Sequence, residues 1–428
     1  MKNINFLKPL AVTIFMMVCT LSSNAQNSLP YSVYGIGSLY SNSNQIQMAI
    51  GGVSVPYSSP YFINSGNPAS YMAFDSLSFV FNGSFYLRSG TLSSASLKQK
   101  TTDASLADLS LGFPVFKFWR TAFGLVPFSK VSYEIHDEII NQPNVAGRIV
   151  NIYKGSGGLN KVFWGNAVGY KNLSVGVNMQ YLFGNIEKEN QATFPDSVYF
   201  FNIGDKRTTY AHGITVDMGL LYKIDLKKNN FLNIGLTFSP KQNISANTDR
   251  IIYRFKKDYA KGVDIVADTI NFKEGESGKI VIPMAVGFGL SYGEKNRWMA
   301  AADVKWQQWS NYKYLGVNGG LNDNVRVSLG GEFRPMKGTI GKYWERIYYR
   351  AGFRFEKTYL TINNKPINDI AFSFGFGLPT IKSNSTFNLG FEAGTYGNAG
   401  EGSIRDNYFK ISIGGSLQEL WFLKQRYF

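Results

Sequence analysis

From residue 76 to residue 416 the chain alternates with a period of two, apolar on one side and small or polar on the other. Leu77, Phe79, Phe81, Phe85 and Leu87 share one face, opposite Ser78, Asn82, Ser84 and Arg88. Leu173, Val175, Val177, Met179, Tyr181 and Phe183 repeat it opposite Ser174, Gly176, Asn178, Gln180 and Gly184. Trp119 to Ile135 on odd positions, Ile280 to Tyr292 on even positions and Ile370, Phe372, Phe374 and Phe376 continue the series. No stretch in this region sustains a helical period. The pattern predicts fourteen strands: 76–88, 104–115, 119–135, 148–170, 173–185, 210–224, 231–247, 279–292, 298–314, 323–335, 346–360, 368–379, 386–398 and 406–416.

The connections alternate between short turns, such as Lys171-Asn172, and long polar segments: 89–103, 136–147, 186–209 and 248–278. Short turns on one rim and long connections on the other mark an outer-membrane barrel. A soluble sandwich would pair its apolar faces across a second sheet, whereas here the face opposite the large apolar side chains is polar, charged or glycine. The expected fold is therefore all-β, a 14-stranded antiparallel transmembrane β-barrel with both chain ends on the periplasmic side. Closure pairs every backbone polar group that faces lipid.

The residues outside the strands divide in three. Lys2 and Lys8 precede the apolar run Leu10 to Leu21, and Ser23 and Ala25 supply a small-x-small exit, so residues 1–25 read as a signal peptide cleaved after Ala25. Residues 26–75 are rich in Gly, Ser, Asn, Pro and Tyr and read as an N-terminal plug that packs against Ala285, Gly287, Gly289, Ser373, Gly375 and Gly377. Residues 417–428, with Trp421-Phe422, read as a periplasmic C-terminal tail.

Composition narrows the chemistry. The single Cys, Cys19, lies in the expected leader, which leaves neither a disulfide framework nor a Cys-ligated metal. Two His residues leave little room for any other metal centre. The adjacent pair His136-Asp137 points to opposite faces of a strand, and no Gly-rich phosphate loop opens a helix; no catalytic residues and no cofactor are expected. The net charge of +15 is scattered along turns and loops, which favours anionic outer-membrane lipids and lipopolysaccharide over nucleic acid as partners.

Three blocks carry a family resemblance. Asn67-Pro68-Ala69 follows a Gly-containing N-terminal segment. Ile282-Pro283, Gly287, Tyr292, Trp298, Asp303, Trp306 and Trp309-Ser310-Asn311-Tyr312 form the second block. The third comprises Asp323, Val327, Leu329-Gly330 and Phe333, then Tyr349-Arg350-Ala351-Gly352-Phe353 and Glu356-Lys357-Thr358. Together they resemble the outer-membrane long-chain fatty-acid transporters, the FadL-like barrels. The resemblance implies a fourteen-stranded barrel of a Gram-negative outer membrane with an N-terminal hatch at Asn67, Pro68 and Ala69. It also implies a hydrophobic or amphipathic small-molecule ligand that leaves sideways through a break in the wall. That break belongs to the third strand in the family, whereas the glycines suited to it here, Gly155, Gly157 and Gly158, lie in the fourth. The alternative is a FadL-like barrel that docks other outer-membrane or periplasmic proteins in export or assembly.

Register also predicts a charged lumen. Asp303 and Lys305, then Arg326, Glu332 and Arg334, then Arg350, Arg354 and Glu356 fall on the inward faces of three consecutive strands. Such a ladder braces the wall or holds polar groups of the plug, and it also suits the carboxylate of an amphipathic ligand.

Overall fold

The structure, a computed structural model, describes residues 29–40, 44–94, 97–139, 147–197, 199–258, 263–336, 342–380, 385–398 and 403–420. The expected signal peptide, with Cys19, and the tail beyond residue 420 lie outside the described residues.

Fourteen antiparallel strands close into one barrel. β1 is Ser78–Ser93, β2 Lys98–Phe116, and β3 Trp119–Lys130 resuming at Tyr133–Ile139. β4 is Ile149–Tyr170, β5 Leu173–Thr193 and β6 Asn202–Asp225. β7 runs Asn230–Ser239 and Gln242–Asp258, β8 Val263–Ile282 and Ala285–Glu294, and β9 Trp298–Gln307 with a short continuation Lys313–Tyr314. β10 is Asn324–Phe333, β11 Tyr348–Ile362, β12 Lys365–Pro379, β13 Thr386–Tyr396 and β14 Arg405–Leu420. β14 pairs with β1 from Ser78↔Leu420 to Ser93↔Arg405, which seals the cylinder and carries the last strand past the expected end at 416.

Each strand turns its large apolar side chains outward, as lipid requires. Phe85, Phe123, Trp164, Met179, Leu236, Phe288, Leu329, Phe372 and Phe409 are all exposed. Aromatic pairs link neighbouring strands on this face: Phe123 stacks on Trp164 at 6.1 Å and Phe374 on Phe391 at 4.8 Å. Asn82, Asn178, Asp303, Ser328 and Asn388 point inward and are buried.

Two strands change phase partway. A register shift between Pro127 and Ser129 moves β3 by one residue against β4, so Phe123 is exposed but Val131 and Tyr133 are buried. β8 breaks between Ile282 and Ala285, so Ile280 and Ile282 face the core while Phe288 and Leu290 face out. The single even-position face expected from Ile280 to Tyr292 is thus two opposite faces.

The upper rim differs from the sequence expectation. The segments 89–103, 186–209 and 248–278 are mostly strand, because β1 and β2, β5 and β6, and β7 and β8 pair almost to their hairpin tips.

Residues 44–74 of the N-terminal segment pack against inward-facing strand residues. A short helix, α1, spans Gln45–Ala49; the Asn44 side chain accepts from the backbone N–H of Ile46 and Gln47, while Gln47 Oε1 accepts from Asn44 N. The cap matters because a helix this short has little intrinsic stability. The side chain of Asn64 donates to Ser54 O at 2.7 Å and Tyr57 O at 2.8 Å and accepts from Gln47 Nε2 at 2.6 Å, tying the segment to itself.

Candidate functional site

The feature that sets this barrel apart from a uniform cylinder is an interrupted seam. β2 and β3 pair from Phe116↔Trp119 to Leu109↔Leu125, and there the ladder stops. β2 continues upward paired with β1 as far as Ser93↔Lys98, and β3 continues paired with β4 as far as Ile139↔Ile149. Among the described residues no ladder joins 98–108 to 126–139.

Chemistry explains the stop. Pro127 has no N–H to donate, the bulge beside it bends β3, and the strand is interrupted at Val131-Ser132. β4 tolerates the bend because it is glycine at the contact. A Cβ on Gly155 would sit 2.1 Å from the Tyr133 ring, and one on Gly158 2.3 Å from Ser129 O. The break is therefore in the third strand. Gly155, Gly157 and Gly158 lie in an unbroken β4 and face the break rather than form it.

The N-terminal segment occupies part of the opening. Ser38 and Leu39 pair with Lys130 and Ser129 as a two-residue strand. Leu29 N donates to Ser132 O at 2.6 Å, and Tyr40 N to Phe128 O at 2.9 Å. Side chains span what the backbone does not: Lys130 on β3 forms an ion pair with Asp103 on β2, and Tyr86 OH donates to Asp103 and lies 2.8 Å from Tyr40 OH. Behind this screen is a cavity of about 170 Å³ whose lining includes Arg88, Asp103, Lys130, Arg354, Tyr408 and Lys410.

The predicted hatch residues sit lower. Asn67 is fully buried; its Nδ2 donates to Val55 O at 2.6 Å and its Oδ1 accepts from Ala69 N at 3.1 Å. Pro68 opens a 3-10 turn, Pro68–Ala73, that rests on the walls of β4, β5 and β6. The fit again depends on missing side chains: a Cβ on Gly219 would lie 2.1 Å from Asn67 Oδ1, and one on Gly176 2.4 Å from Pro68 C. Gly51 N donates to Ser373 Oγ at 2.9 Å, and Gly375 faces Ala49.

The predicted charges form two groups. Asp303 holds the N-terminal segment: its Oδ2 accepts from Ser54 N at 2.7 Å and Val55 N at 3.0 Å, while Lys305 Nζ donates to Ser54 Oγ. The rest brace the wall. Arg326 pairs with Glu356 at 2.7 Å, and Arg350 pairs with Glu332 at 2.7 Å and donates to Asn388. Arg334 lies over the Tyr348 ring. Arg354 joins Glu392 at 3.1 Å, Asp369 at 2.9 Å and Tyr408 OH at 2.9 Å. Sequence reasoning missed Asp369, Glu392 and Tyr408, although each lies on the polar phase of its strand. It also missed Asp103 and Lys130, and the buried Lys161 and half-buried Asp217 of a second cavity of about 180 Å³.

The β3 side of the seam backs onto apolar packing. Trp309, Tyr312, Tyr31, Ile36, Tyr133 and Tyr359 belong to one buried apolar cluster, with the Trp309 and Tyr359 rings 5.0 Å apart. His136 is exposed and bonds Glu134 at 3.0 Å. Among the described residues no group of His, Cys, Asp and Glu could hold a metal ion.

The BamG family model matches residues 6–428. The chain belongs to the BamG family. No curated protein matches it. Several solved structures share the fold of this BamG-family chain. The CymD monoaromatic hydrocarbon channel is 14% identical with a TM-score of 0.56, covering 91% of this chain and 100% of its own. The Pseudomonas putida toluene transporter TodX is 15% identical with a TM-score of 0.56, covering 93% and 100%. A Pseudomonas aeruginosa FadL homologue is 9% identical with a TM-score of 0.56, covering 88% and 98%. At these identities the likeness is one of fold, and the BamG-family barrel is FadL-like in that sense.

Proposed function

We propose that this outer-membrane barrel takes amphipathic or hydrophobic small molecules from the outer face and releases them sideways into the membrane through the β2–β3 seam. The observation that carries the reading is the absent ladder between 98–108 and 126–139, with a cavity directly behind it. Lateral release suits such a cargo, because it never enters the water beyond the barrel. Lys410, held over the Tyr86 ring at 4.7 Å, is the cation best placed to meet a carboxylate headgroup in that cavity. Fold likeness to a monoaromatic hydrocarbon channel and a toluene transporter supports the reading.

The test is a reversible staple. The only native Cys is Cys19, so Asp103→Cys with Lys130→Cys can be bridged by a reducible bis-maleimide in cells that depend on the barrel for oleate uptake. Uptake should stop on stapling and return on reduction. Unchanged uptake in the stapled protein overturns lateral release.

A second reading has its own observation. Much of the interior is occupied by the N-terminal segment, by paired charges and by the apolar cluster beside the seam. A barrel so occupied also serves as a rigid subunit that docks other outer-membrane or periplasmic proteins, with its working surface outside.

A further inference from the structure

Above the lipid-facing girdle the strands do not close among the described residues. The upper halves of β3 to β8 form an open sheet with two edges. One is Tyr133–Ile139 of β3, which is short and carries Glu134, Asp137 and Glu138. Short length and charge are how natural sheets protect an edge from unwanted pairing.

The other edge is much longer, with three bulges and five charged residues along it. β8 pairs with β7 on one side from Val263 to Ile282. On its other side β9 reaches only Val281 and Ile280, and Leu315 N donates to Lys279 O at 3.0 Å. From Val263 to Gly278 that side has no ladder partner among the described residues. All side chains from 263 to 277 are exposed, including Val263, Ile265, Val266, Ile270 and Phe272, the last at 58%. A long edge strand, rich in β-branched residues and free of proline, recruits another strand.

We propose that Val263–Gly278 is a docking rail that takes a basic edge strand of a partner protein by β-augmentation. Backbone bonds supply the pairing, and alternate side chains supply the selectivity. The charge sets the partner's chemistry. In a chain of net charge +15, this edge carries Asp264, Asp268, Glu274 and Glu276 against Lys273 alone. Asp268 is already paired with Arg254 and Asp264 accepts from Gln191 Nε2 at 3.3 Å, so the acids left for a partner are Glu274 and Glu276. A second copy of the edge would bring net acid against net acid, which cross-strand pairing penalises. Lipid offers no partner for backbone N–H groups. The inference rests on the docking reading above and is independent of passage through the wall.

The test uses the full-length barrel in its own membrane. A photo-cross-linking residue at Ile265, Ile270 or Phe272 should trap one protein at a single extended segment, whereas the same residue at Ile214, on the outward face of β6, should not. That segment, synthesised as a peptide, should bind the purified barrel. Methylating alternate peptide nitrogens, or introducing E274K with E276K, should weaken binding at least tenfold. Heat-modifiable gel migration shows that the variant is folded, and unchanged oleate uptake separates this result from the seam. Cross-links only to a second copy, no cross-link at all, or undiminished binding of the methylated peptide overturns the proposal.

Discussion

Removal of the Asp303 carboxylate is the sharpest probe of how the N-terminal segment is held. Asp303 is 2% exposed and its Oδ2 is the acceptor for two backbone donors, Ser54 N and Val55 N. Hydrogen bonds to a charged group contribute about 1.5–3 kcal/mol each. Asp303→Ala therefore weakens the seat of this segment by about 3–6 kcal/mol, and since about 1.4 kcal/mol is tenfold, the released population rises roughly 100- to 10,000-fold. Asp303→Asn keeps one acceptor oxygen and loses the charge, so about half the effect is expected. Amide hydrogen exchange over residues 44–74, with single-channel conductance of the same samples, reads both sides of the equilibrium. The order of exchange should be wild type slowest, Asn next, Ala fastest, with conductance rising in the same order. If the Ala variant keeps wild-type protection at Ser54 and Val55, those bonds do not hold the segment.

Two further outcomes follow from the charges. Arg354→Met strands Glu392 and Asp369 in the interior, at a cost of about 3–5 kcal/mol for breaking a buried pair from one side; the midpoint of heat-modified gel migration should fall, and adding Glu392→Gln should recover part of the loss. Acid should loosen the upper sheet before the girdle. Arg250 holds the Asp205 carboxyl below the ordinary carboxylate range, and Arg254 does the same to Asp268. For a depressed folded pKa, the stabilisation is present above the unfolded value of about 3.9 and is lost as pH falls through the lower folded value. Exchange at the tips of β6 to β8 should rise in that window while Phe288 and Leu290 stay protected, and equal protection at both heights would refute it.

The strands were legible because lipid enforces alternation. Wherever a strand crosses the girdle, as β5 does from Leu173 to Phe183, one face must be large and apolar, and that constraint is written in the residues. Above the girdle nothing enforces it. β8 from 263 to 277 is exposed on both faces, so its composition resembled a loop although its backbone is strand. The break in β3 had one local signal, a proline inside a strand; the apolar residues keep odd positions from Trp119 to Ile135, so their change of face at the bulge leaves no mark in the pattern. The glycines of β4 marked the right height but the wrong strand, because close approach needs glycine on the wall that receives the bend. Half of the ion network was legible from register on β9 to β11. The rest lies on β12 to β14 and β1 to β3, and pairing across a closed cylinder cannot be counted along a chain.

The contacts that hold the N-terminal segment also set a timetable. Ser54 waits for Asp303, a separation of 249 residues, and Gly51 waits for Ser373, a separation of 322. The stretch that is synthesised early is thus among the last to find its place, since bringing distant residues together is slow. Until β12 is laid down, that stretch lacks one of its anchors.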